Sequence, residues 1–118
     1  MTIIANIATT FVALLHLWFL VLEMFFWDKP LGLKTFRLTP EFAKASKSLA
    51  ANQGLYNGFL VAGLVWGLLL GADGRAIRMF FLGCVIVAGV FGAITVGRKI
   101  LFVQALPGAV ALGLVLVS

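Results

Sequence analysis

Two ionisable residues interrupt the apolar run LLHLWFLVLEMFFW, Leu14 to Trp27: His16 and Glu23, seven residues apart. Imidazole and carboxylate are side chains that bind and release protons and serve as general acids and bases. On a helix this spacing puts both on one face but about 10 Å apart along the axis, so they would act together only through a bound molecule or water. Asn6 and Thr9 continue the same face. A charged group facing lipid near the bilayer centre costs at least about 2.5 to 3.5 kcal/mol, so this face is expected to look into a helix bundle or a water-filled cavity.

A second polar cluster, NQGLYNGF, opens a later apolar run. In a helix Asn52 and Tyr56 share one face, and Gln53 and Asn57 share another about 100° round. Gln104 lies one turn beyond the basic pair Arg98 and Lys99. If the connections alternate across a membrane, Glu23, Asn52, Gln53, Tyr56, Asn57 and Gln104 fall at similar depth. They would line one polar pocket, with His16 closing its deeper end and Arg98 and Lys99 attracting anionic headgroups. The competing reading is structural: the amides join helices and Glu23 pairs with Arg98 or Lys99.

Other chemistries lack their residues. One His and one intramembrane Glu are too few for metal ligation, and no phosphate-binding Gly-rich loop, serine nucleophile elbow or CxxC pair is present. No cofactor is expected. Cys84 stands alone, which allows no internal disulfide.

The positioning elements follow from composition. Of 118 residues, 63% are apolar and 11% charged, a balance suited to lipid rather than water. Four segments approach the roughly 20 apolar residues that a spanning helix needs, at about 3–27, 48–70, 79–96 and 100–117. They lack the alternation of a membrane barrel. The expected fold is all-α, a single domain forming a four-transmembrane-helix bundle with a long first loop. The first segment has no basic leader, so it is expected to be retained.

Lys29, Lys34, Arg37, Lys44 and Lys47 lie in the first loop and Arg98 and Lys99 in the third connection, against only Arg75 and Arg78 in the second. Basic loops stay cytoplasmic, which puts the first loop inside and both termini outside the cytoplasm of a bacterial inner membrane. The net charge of +5 lacks the interleaved aromatics of a nucleic-acid platform, so membrane lipids are the expected partners.

Within the first loop, Thr39, Pro40 and Glu41 read as a helix start, with Thr39 as N-cap. GADGRAIR reads as a plain turn, and GRK as a tight connection that makes spans three and four neighbours. Pro107 predicts a kink. Small residues recur every fourth position, including Gly54 and Gly58, Gly63 and Gly67, and Gly89, Ala93 and Gly97. Such stripes suit close helix packing within the chain, or a homo-oligomer seam.

The stretches HLWFLVLEMFFW, LTPEFAKASKSLAANQGLYNGFLVAGLVWG and GRKILFVQALPG resemble a family of small bacterial membrane proteins known as domain of unknown function 1304. That resemblance implies the four-span architecture and transfers no catalytic role. In architecture alone, the basic first loop and polar second span look like the membrane-associated eicosanoid and glutathione metabolism enzymes. The arginine, asparagine and glutamate pattern of their second span is missing. Size and a glutamate in span one look like the small multidrug exporters, whose first loop is shorter.

Together these features imply binding of a small amphipathic or lipid-like molecule from the cytoplasmic side. Two alternatives use the same residues: a proton-coupled transporter acting as a dimer, and a membrane-embedded enzyme with His16 and Glu23 as acid and base.

Overall fold

The computed structural model describes residues 2–118, and among them every regular element is helical. Helix α1 spans Thr2–Phe25, α2 Pro30–Phe36, α3 Pro40–Leu69, α4 Arg75–Thr95 and α5 Leu106–Leu116. A 3₁₀ turn, Gly71–Gly74, joins α3 to α4, and a π turn, Leu101–Ala105, precedes α5. Two stretches, Thr2–Phe25 and Gly71–Thr95, are long and apolar enough to cross a membrane. The chain divides into two compact units, residues 15–59 and residues 2–14 with 60–118.

In the first unit, α1 runs without glycine or proline to Phe25. Lys29 is extended (φ −96°, ψ 164°), as a residue before proline must be, and Pro30 then starts α2 with its fixed φ. Gly32 faces the backbone carbonyls of Phe26 and Trp27 so closely that a Cβ there would collide with them. Arg37 ends α2 in the left-handed region (φ 54°), its N–H donating to the Leu33 carbonyl. Thr39 caps α3 as expected: its Oγ1 accepts from Phe42 N at 3.2 Å, and its carbonyl from Ala43 N at 3.0 Å.

The second unit has its core where Ala5, Val12 and Ala13 of α1 meet Leu64 of α3, Leu82 and Val85 of α4, and Ala111 and Val115 of α5. Small residues permit this approach. A Cβ on Gly89 would lie 2.6 Å from Ala105 N, and one on Gly63 would enter the Phe81 ring. Helix α4 packs against both the π turn and α5, so the third and fourth apolar segments are neighbours, as the tight GRK connection predicts.

Two segments differ from their sequence reading. GADGRAIR is only half a turn, because Gly71 (φ 61°) and the four-residue 3₁₀ turn reverse the chain and α4 already begins at Arg75. Arg78 is therefore a helical residue and is 8% exposed. Its Nη1 donates to the carbonyls of Gly67 and Gly71, each at 2.7 Å, satisfying acceptors that the end of α3 leaves open. The fourth segment is not one regular helix. Leu106 N bonds to the Leu101 carbonyl, five residues back, directly before Pro107. A widened turn accommodates a residue that cannot donate and whose ring crowds the preceding turn.

Candidate functional site

The unit of residues 15–59 holds the strongest polar contact of the expected set. Asn57 Nδ2 donates to Glu23 Oε1 at 2.5 Å. Glycine brings the two helices near enough for it. A Cβ on Gly54 would stand 2.6 Å from Met24 Cγ, 3.2 Å from Glu23 Cβ and 3.3 Å from the Leu20 carbonyl, and one on Gly58 would meet Leu20 Cδ1 at 3.0 Å. Asn57, between those glycines on α3, is thus held against the last full turn of α1 and is 6% exposed. Glu23 is half-buried. A carboxamide N–H satisfies the acid whether it carries a proton or not.

His16 is fully buried, its ring edge-on to Phe19 with centroids 5.3 Å apart. It shares the inward face of α1 with Thr9, which is buried and donates its hydroxyl to the Ala5 carbonyl at 2.8 Å. Asn6, read onto that face, is exposed. The stripe therefore drifts outward at its N-terminal end, because 3.6 residues per turn do not hold a strict seven-residue repeat.

Asn52, Gln53 and Tyr56 are exposed along α3. Tyr56 lies against Phe59, ring centroids 6.0 Å apart. Gln104, half-buried in the π turn, and the exposed Arg98 and Lys99 belong to the other unit. Of the nine expected site residues, Glu23 and Asn57 are joined by a hydrogen bond. Among the described residues the ion pair is Lys47 with Asp28, at 3.1 Å, and the partner of Glu23 within its own unit is an amide. The hydrogen bond from Lys47 holds the Asp28 carboxyl below its usual range.

Beside that ion pair lies a cluster the sequence reading missed. Trp27 Nε1 donates to Ser46 Oγ at 3.0 Å, Ser46 donates onward to the Phe42 carbonyl at 2.7 Å, and the Trp27 ring packs on Phe36 at 5.0 Å. Trp27 is thus a clasp between the end of α1, α2 and the start of α3. The only sequence signal was its position at the end of an apolar run, which also fits an interfacial tryptophan.

Apolar surface depressions lie elsewhere, one of about 440 Å³ along Ile3, Ile7 and Phe11 of α1 and one of about 660 Å³ along Phe80, Cys84 and Phe91 of α4. Among the described residues no group of three His, Cys, Asp or Glu is placed to hold a metal ion.

An uncharacterized protein, YpaA, of Lactococcus lactis subsp. lactis (strain IL1403) is 28% identical to this chain over 106 residues, covering 88% of this chain and 89% of the relative. No solved structure matches. The model of the family described as protein of unknown function (DUF1304) matches residues 10–116. Since that match takes in nearly the whole chain, including Glu23, Asn57 and the Trp27 clasp, the protein belongs to the DUF1304 family.

Proposed function

We propose that this is a four-span inner-membrane protein that binds a small amphipathic molecule, with the polar group of that molecule engaging Glu23 and Asn57. The observation that carries the reading is the Glu23–Asn57 contact itself: a carboxylate set within a largely apolar helix, partnered by one amide, on a residue that is only half-buried. A carboxylate inside an apolar span marks a functional site by default, because packing alone would favour an apolar side chain there. The exposed Asn52, Gln53 and Tyr56 on the same stretch of α3 supply further polar contacts for an arriving headgroup, and the apolar flanks supply contact for its tail. His16, fully buried, steadies α1 rather than meeting the arriving molecule.

Membrane residence is supported by where the apolar surface lies. Only 28% of the apolar stretch in α1 and 22% of that in α4 is buried inside the molecule. Phe11, Trp18, Trp66, Phe80, Phe91 and Ile94 are among many large side chains left exposed, more than a water-facing monomer tolerates as contiguous surface. The basic connections then set the orientation, with residues 28–47 in the cytoplasm and both termini outside.

The test is native mass spectrometry of the detergent-purified protein, wild type beside Glu23→Gln. The variant keeps an oxygen for Asn57 to donate to and loses only the charge. A small molecule retained by wild type and absent from the folded variant is the expected result. Wild type and variant both free of any small molecule, with equal thermal stability, would overturn the proposal.

A further inference from the structure

We infer that residues 28–47 form a docking surface for anionic phospholipid headgroups, built on a rigid clasp rather than on a flexible basic loop. This rests on the membrane residence proposed above, but goes beyond the Glu23–Asn57 site and does not depend on it.

The segment carries five basic residues, Lys29, Lys34, Arg37, Lys44 and Lys47, against two acidic ones, Asp28 and Glu41. Asp28 is already engaged by Lys47 at 3.1 Å. Lys29, Lys34, Arg37 and Lys44 are exposed and have no ion pair among the described residues. Their backbone is fixed from beneath. Gly32 packs on the Phe26 and Trp27 carbonyls, Phe36 on the Trp27 ring, Ser46 accepts the Trp27 indole N–H, and Ala43 and Ala50 are buried on the inward face of α3. Lys34 on α2 and Lys44 on α3 are exposed, as are Phe42 and Leu49, which lie seven residues apart on another face of α3 from Lys44. Phe42 is 57% exposed and Leu49 75%. Exposed cations and exposed apolar side chains in one segment match a surface that is anionic at the headgroup and apolar just beneath it.

Arg37 adds an independent observation. It is the one non-glycine residue with positive φ among the described residues. Glycine or asparagine is the ordinary occupant of such a helix-ending position. An arginine there bears a backbone cost, and its side chain is exposed and makes no hydrogen bond or ion pair to any described residue.

The experiment uses the full-length protein with Trp18→Phe and Trp66→Phe, leaving Trp27 as the sole indole, reconstituted into phosphatidylcholine vesicles. Quenching of Trp27 by brominated phosphatidylglycerol is compared with quenching by brominated phosphatidylcholine. Near a membrane surface each basic residue strengthens attraction to anionic lipid by about fivefold. The expected result is a severalfold preference for the anionic lipid that falls toward unity in Lys34→Gln/Arg37→Gly/Lys44→Gln. Arg37→Gly removes the charge while relieving the backbone, and circular dichroism checks that the fold survives. If the triple variant fails to fold, Lys34→Gln alone, at an exposed residue whose side chain makes no described contact, carries the test through a proportionate loss. Equal quenching by the two lipids in wild type, or an unchanged preference in the variants, would overturn the inference and leave these charges to orient the chain or meet another partner. Glu23→Gln should leave the preference intact, so failure of the small-molecule site and failure of this surface are separable.

Discussion

Glu23 and Asn57 form a contact whose loss and replacement have different consequences. Replacing Glu23 by leucine leaves the Asn57 amide buried without its acceptor, which costs about 1–3 kcal/mol. Adding Asn57→Leu should recover part of that loss, and a double-mutant cycle measured by steric trapping or denaturant unfolding in micelles should give a coupling of about 1 kcal/mol. Arg78 is the costlier single residue. Two carbonyls, of Gly67 and Gly71, depend on its guanidinium, so Arg78→Leu should destabilise by about 2–3 kcal/mol in the same assay. Asp28 supplies the pH dependence. Its pKa is lowered by the hydrogen bond from Lys47, so the stabilisation it contributes is complete above the ordinary carboxylate pKa and is lost as pH falls through the depressed value. NMR titration of the Asp28 carboxyl should show its midpoint rising toward the ordinary range in Lys47→Gln.

Elements are held together through a few small residues, and the glycines of this chain are not equivalent. Gly54→Ala would force Met24 and the Leu20 backbone aside and should cost about 1–3 kcal/mol while lengthening the Glu23–Asn57 contact. Gly83, on α4, has open space where a methyl group would project, with no neighbouring atom within 4 Å, so Gly83→Ala should be neutral or slightly stabilising. Thermal unfolding of the two variants side by side checks the contrast. The small-residue stripes likewise include both internal packing positions, such as Gly54 and Gly89, and open ones, such as Gly97, a distinction that spacing alone does not make. Pro107 behaves likewise as an element-scale feature, since its disturbance is taken up by the π turn that carries Gln104 rather than spread along α5.

The proposed topology makes its own prediction for the molecule as a whole. In a Cys84→Ser background, Ser118→Cys should react with an impermeant maleimide added to intact cells, and Lys34→Cys only after the membrane is opened. The reverse pattern would invert the orientation and place the basic surface of residues 28–47 outside. The proposed membrane residence also predicts that the protein, purified without detergent or lipid, will aggregate, which light scattering checks.

The amino-acid sequence alone determined the helical class, the start of α3 at Thr39 and Pro40, the adjacency of the third and fourth apolar segments, and the polar character of the face bearing His16 and Glu23. These depend on local propensity, capping chemistry and connection length, which act within a few residues. Only the tertiary structure decided that Asn57, rather than Asn52 or Gln53, meets Glu23. The three amides of α3 are equivalent until its rotation against α1, set by the close approach at Gly54 and Gly58, selects one of them. Arg78 shows the same limit. Its charge read as a loop residue until the reversal at Gly71–Gly74 carried it beneath the end of α3, where open carbonyls made a buried guanidinium favourable.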